Sequence, residues 1–161
     1  MSGMLEFDPR RLRKFVRALD SDLPAHLRAP DGDLSVALFD DARIAKIHAD
    51  FMNIPTATDV ITFEGEGDGE FAGEICASAE TAFARAGDFD NTPSRELCLY
   101  VAHGYLHLAG VDDVSDEDAL KMRAAEAEAM KILDEHFRKP IFKFISQPKN
   151  KICLKNLGTI C

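Results

Sequence analysis

The sequence predicts an α+β fold, one domain in which a small mixed sheet of three to four strands packs against helices. Three observations predict it. Two β-rich apolar runs flank a short Gly- and acid-rich turn, which reads as a hairpin. Five segments repeat their apolar residues at helical spacing, most with a cap signal at an end. And 161 residues with 46% hydrophobic content suffice for one buried core of ordinary domain size.

In chain order, "DPRRLRKFVRAL" (8–19) opens with Asp8 as N-cap and Pro9 at the first helical position, and Leu12, Phe15, Val16 and Leu19 share one face. "LSVALFD" (34–40) is short and mostly apolar after the turn residues "PDGD", hence a strand. "DARIAKIHADFM" (41–52) sets Ile44, Ile47 and Phe51 along one helical face. "TDVITFEG" (58–65) and "FAGEICAS" (71–78) form the two strands of the hairpin. Helices then dominate: 78–87 from Ser78 to Gly87, 92–110 from Thr92-Pro93 to Gly110, and 115–137 from Ser115, with Asp118 at the capping-box position and Pro140 as the stop. Residues 1–137 form the expected domain and 138–161 a basic C-terminal tail, whose apolar Ile141, Phe142 and Phe144 either dock on the sheet or stay loose.

Charge is unevenly distributed. The tail carries six basic groups and no acidic one, so the first 137 residues hold 13 basic and 28 acidic groups. Such an acidic body argues against broad electrostatic capture of nucleic acid, because phosphate neutralisation needs Lys and Arg. It leaves room for a local site with a cation in it. No apolar run reaches the roughly 18–20 residues that cross a membrane, and the N-terminus lacks a signal-peptide stretch, so a cytoplasmic location without membrane contact is expected. Cys76, Cys98, Cys153 and Cys161 form no C-x-x-C pair and are read as packing or tail residues.

The chemistry concentrates in "HGYLHLAGVDD" (103–113). On a helix, His103 and His107 project from one face one turn apart, the spacing by which a helix offers two nitrogens to one metal. Gly110 ends that helix and lets the chain turn back, so that Asp112 and Asp113 fall where a third ligand would reach the same ion. Gly104 occupies the position at which a metallopeptidase helix, H-E-x-x-H, carries its glutamate base, which counts against peptide hydrolysis.

The stretch resembles the signature H-G-x-L-H-L-x-G-x-D-H of the YbeY family, matching seven of its eight fixed positions: His103, Gly104, Leu106, His107, Leu108, Gly110 and Asp112. "PTATDVITFEGEG…AGEICAS" is similar to the family's P-T-D-V-L-S-F-P…G-D-I-x-I-S segment, "SRELCLYVAHG" to the helix before the metal motif, and Met122 and Glu126 fall in the following helix as in the family. The likeness covers roughly residues 34–137. It implies a single-strand-specific, metal-dependent endoribonuclease (a hydrolase) acting in 16S rRNA 3′-end maturation and ribosome quality control, with single-stranded rRNA and ribosomal particles as partners and no DNA. It also implies one Zn2+ per chain, with Mn2+ or another divalent ion as the alternative, held by His103, His107 and Asp113.

Two positions depart from the family. Its third ligand is histidine where this chain has Asp113, and its arginine before T-D-V aligns with Met52. Two histidines with one carboxylate are a workable catalytic donor set for zinc. They leave the site one charge less positive than three histidines, so the ion polarises phosphate and acidifies water less. Carboxylate oxygen also shifts preference toward harder ions such as manganese. Met52 cannot orient phosphate as an arginine does; Arg43, Lys46 and Arg95 are the candidate substitutes, and a core position closing the helix is an equal alternative for Met52. Asp112 is the expected catalytic-site acid that orients a ligand histidine, with a turn role as the alternative. Glu74 reads as an edge acid, and Thr58 and Asp59 as organisers of the turn into their strand. The competing function is a non-catalytic, metal-stabilised RNA-binding or ribosome-assembly module.

Overall fold

One central strand, buried on both faces, organises the molecule, seen in a computed structural model that describes residues 2–145 and 151–154. The elements are β1 (Ser2–Phe7), α1 (Pro9–Asp22), β2 (Asp33–Phe39), α2 (Asp41–Met52), β3 (Val60–Glu64), β4 (Phe71–Ser78), α3 (Ala79–Arg85), α4 (Pro93–Leu108), α5 (Asp116–His136), β5 (Phe142–Ile145) and β6 (Lys151–Leu154). One sheet has the order β2-β4-β3, with β2 parallel and β3 antiparallel to β4. Successive strand residues point to opposite faces. Ile75 and Ala77 of β4, beside Val36 and Leu38 of β2, therefore join the main core under α4, while Cys76, Ala37 and Ile61 face the other way onto Ile44 and Ile47 of α2. The α+β architecture and the 58–65/71–78 hairpin are as the sequence predicts.

Cap chemistry sets the helix starts. Asp8, Ser78, Thr92 and Ser115 each accept a backbone N–H of the first turn, and Pro9 and Pro93 fill the position where no N–H is needed. Asp118 does not reach back to the backbone as a capping-box glutamate would; its carboxylate accepts the Ser115 hydroxyl at 2.6 Å. One end differs from expectation: α3 stops at Arg85 and continues as a 3-10 turn over Ala86–Phe89, which Asp90 closes in the left-handed conformation (φ 54°). Gly87 thus lies inside a tightened turn rather than at a helix end.

A second sheet, order β5-β1-β6, was not foreseen. Its strands come from the two ends of the described chain, β1 running antiparallel to β5 and parallel to β6. Ile141 and Phe142 are buried in the main core, the Phe142 N–H donates to Ser94 Oγ at 3.1 Å, and the rings of Phe7 and Phe142 lie 5.4 Å apart. Buried Cys76 and Cys98 are packing residues: burial pushes both thiols up to about 12, helped at Cys76 by nearby Glu74, which leaves them inert as nucleophiles. Cys161 and the tail's Lys149 and Lys155 lie outside the described residues. No described helix is long and apolar enough to cross a membrane.

Candidate metal centre

Helix α4 carries the two histidines, and its packing explains the glycine between them. A Cβ on Gly104 would lie 2.6 Å from Ile75 Cγ2 and 3.1 Å from the methyls of Thr62 and Val60. Residue 104 therefore faces the sheet, and a bare backbone lets α4 press onto β3 and β4. A glutamate there would point into the core, away from His103 and His107, so the metallopeptidase geometry is sterically closed as well as chemically absent.

The helix ends in a Schellman turn. The Val111 N–H donates to Leu106 O and the Gly110 N–H to His107 O, with Gly110 at φ 90°. That reversal folds 111–113 back over the last helical turn. The Asp112 carboxylate accepts the N–H groups of Asp113 and Val114 at 2.7 and 3.3 Å, which stiffens the loop and presents Asp113 to the histidines.

Three donor atoms then converge. His103 Nε2 and His107 Nε2 are 2.8 Å apart, and Asp113 Oδ2 lies 3.5 and 3.7 Å from them. A tetrahedral ion with bonds of about 2.0–2.2 Å separates its donors by about 3.3–3.6 Å; the two Asp113 separations match that spacing, and the histidine nitrogens would part from 2.8 Å to receive a first-row metal. Among the described residues these three are the group whose ligand atoms all lie within 4.8 Å of one another. Two nitrogens and one carboxylate oxygen match zinc, and equally suit manganese or iron(II).

The residue behind the triad is Glu126 of α5. His103 Nδ1 donates to Glu126 Oε1 at 2.6 Å, which leaves the lone pair of a neutral ring on Nε2, aimed at the triangle. Burial pushes the His103 imidazole down, but the hydrogen bond and charge of Glu126, with Asp59 and Asp113, outweigh it and raise its pKa. The sequence assigned this orienting task to Asp112, whose described bonds are to its own loop. The signal for Glu126 was present, four residues after buried Met122 on the same helix, but only the packing of α5 against α4 shows where its carboxylate lands.

Met52 is not in the core; it is 47% exposed at the end of α2, beside exposed Phe51 and Ile54. Of the candidate substitutes for an arginine, Arg95 pairs with Asp134 and Arg43 lies over the Phe39 ring. Asp59 serves its turn: Oδ1 accepts from Thr58 Oγ1 and the Val60 N–H. Glu74 accepts a long bond from Ser35 Oγ, 3.4 Å.

Comparisons with known proteins show the family. The family model described as Endoribonuclease YbeY matches residues 4–134. Endoribonuclease YbeY of Rhodopirellula baltica is 43% identical over 105 residues, 63% of this chain and 54% of that protein. The Anaeromyxobacter protein of the same name is 34% identical over 134 residues, 80% of this chain and 70% of its own length. That of Porphyromonas gingivalis is 32% identical over 127 residues, 79% and 84% of the two chains. A solution structure from Thermotoga maritima superposes with a TM-score of 0.48 at 26% identity, over 78% of this chain and 81% of that one. With the family match running through the hairpin, both histidines and Glu126, this chain belongs to the Endoribonuclease YbeY family.

Proposed function

We propose that this chain is a metal-dependent endoribonuclease that cuts single-stranded rRNA, in 16S rRNA 3′-end maturation and ribosome quality control in the cytoplasm, with residues 1–137 as the catalytic unit. The observation that carries the reading is the convergence of His103 Nε2, His107 Nε2 and Asp113 Oδ2 at 2.8–3.7 Å, with Glu126 behind His103. Family membership supplies the reaction class, as the relatives are named endoribonucleases.

His103, His107 and Asp113 would hold a divalent ion, Zn2+ or another, which would supply Lewis acidity toward a phosphate oxygen and a nucleophile at neutral pH. The chain's own residues do the rest. Glu126 fixes the His103 tautomer, so Nε2 and not Nδ1 serves as ligand. The Schellman turn at Gly110 and the Asp112 bonds hold Asp113 in place, so the site is assembled before substrate arrives. The site is half open, with His103, His107 and Asp113 side chains 20%, 27% and 39% exposed, which admits a strand laid across the surface. Asp112, which the sequence offered as a catalytic-site acid, is a positioning residue here, acting through the loop that holds Asp113.

One observation favours a second reading. The described contacts of the triad include no lysine or arginine, and Met52 offers no charge where a phosphate clamp would stand. A metal-stabilised RNA-binding or ribosome-assembly module needs no such clamp. Cleavage of single-stranded RNA separates the two. The enzyme reading expects cutting that is lost on chelation, restored by Zn2+ or Mn2+, and lost in His107→Ala; RNA binding without cutting by the metal-loaded protein overturns it.

A further inference from the structure

Helix α1 gathers cations that the metal centre does not use. Residues 9–19 hold five basic groups and no acidic one, in a body where acids outnumber bases two to one. Arg10, Arg13, Lys14 and Arg17 recur at three- and four-residue steps, so they form one stripe along the helix. The opposite face, Leu12, Phe15, Val16 and Leu19, is buried. Arg10 is paired with Asp8 at 3.0 Å, whereas no ion pair among the described residues engages Arg13, Lys14 or Arg17. The acids of the last turn are occupied: Asp20 accepts the Tyr105 hydroxyl and Asp22 bonds His136.

The fold extends this stripe. Arg11 donates to the carbonyls of Lys139 and Pro140 at 2.6 and 2.5 Å, which holds exposed Arg138 and Lys139 beside the helix, 128 residues away in sequence. At the other end, α1 leads into Pro24–Leu27, which with Ala109–Asp112 lines a cleft of about 650 Å³ next to the loop that presents Asp113. One segment thus joins the cationic surface to the metal end of the molecule.

We propose that the cationic stripe of α1, with Arg10, Lys14 and Arg17 exposed and Arg13 half-buried, continued by Arg138 and Lys139, is the surface that binds the phosphate backbone of the RNA strand. The choice of RNA among polyanions rests on the endoribonuclease reading. The triad includes the carboxylate of Asp113, and the charges of Asp59 and Glu126 also act on His103, so a polyanion gains little charge attraction there beyond the ion, and its affinity has to come from elsewhere. The stripe offers charge without apolar anchors, because the apolar residues of α1 are all in the core. A lipid surface needs an apolar face to insert, and a protein partner needs buried aromatic or aliphatic anchors; a phosphate backbone needs neither.

The test measures binding of a labelled 2′-O-methyl single-stranded RNA, which resists cleavage through its own hydroxyl, by anisotropy across a salt series with the metal-loaded full chain. Arg13→Gln/Lys14→Gln/Arg17→Gln and, outside the helix, Arg138→Gln/Lys139→Gln are compared with the charge-matched Arg85→Gln/Arg123→Gln/Lys131→Gln, each checked for folding by circular dichroism. The α1 triple variant is expected to bind about tenfold more weakly at low salt, with the slope of log K against log salt shallower by about 2 for three lost phosphate contacts, and the control is expected to stay at wild type. Binding and slope unchanged in both variants overturn the proposal even if the wild type cuts RNA. Binding by the wild type that the α1 changes weaken, without cutting of unmodified RNA, keeps the proposal and removes the endoribonuclease reading. Wild-type protein that binds anionic vesicles or an acidic peptide but not RNA overturns the proposal.

Discussion

Among the described residues, two histidine–carboxylate hydrogen bonds of nearly equal length occur. His103 Nδ1 meets Glu126 Oε1 at 2.6 Å, and His136 Nε2 meets Asp22 Oδ2 at 2.7 Å. The first is about four-fifths buried; the second is more than a third exposed on either side. The second links the end of α5 to the end of α1, where a histidine also suits the negative end of its helix. What makes the first a site is its other nitrogen, 2.8 Å from His107 and 3.5 Å from Asp113. A hydrogen-bonded histidine becomes chemically useful when its free nitrogen converges with further donors, not through the hydrogen bond alone.

The largest expected effect tests that convergence. Asp113→Ala, dialysed without chelator, should fall from about one bound metal per chain by elemental analysis to nearly none, because three protein ligands are the usual minimum of a catalytic zinc site. A full complement in the variant would break the comparison by moving the third ligand elsewhere, with Asp112 next to test. Glu126 sharpens it. Glu126→Ala should weaken metal binding about 100-fold and Glu126→Gln, which keeps an acceptor but loses the charge, about tenfold, read by competition with a chromophoric chelator. Equal affinity in all three proteins would reduce the Glu126 pair to the status of the surface one.

The smallest effect belongs to Asp22→Asn. Metal content should not change. Hydrogen bonds from His136, then from Ser21, hold the Asp22 carboxyl below its usual value of 3.8. A depressed folded value stabilises the native state above the unfolded value and loses that contribution as pH falls below it. The thermal midpoint of the variant should therefore fall less steeply below about pH 4 than that of the wild type. A shallower acid limb in Asp22→Asn bears this out, and an identical limb assigns the pair no stabilising role.

The elements differ in how well they could be read, and the reason is range. The hairpin of β3 and β4, the caps at Asp8, Thr92 and Ser115, and the stop at Gly110 depend on residues a few positions apart, so composition and spacing suffice. The sheet of β5, β1 and β6 pairs Phe7 with Phe142, and no local pattern specifies a register across that separation. Met52 closes an amphipathic helix, which made a core position one of its two readings, yet it stands on the exposed side of the last turn.

The sequence by itself determined which residues form the candidate donor group, because His103, His107, Gly110 and Asp113 lie within eleven residues and helical geometry plus one left-handed glycine brings them together. Tertiary structure alone decided three things: that Glu126 and not Asp112 supports His103, that position 104 faces the sheet, and that Arg138 and Lys139 lie beside α1. Each depends on the packing of elements far apart in the chain. Such contacts are chosen by the burial of whole apolar faces, such as that of Phe15, Tyr105 and Phe142, and not by any pattern among the residues that meet.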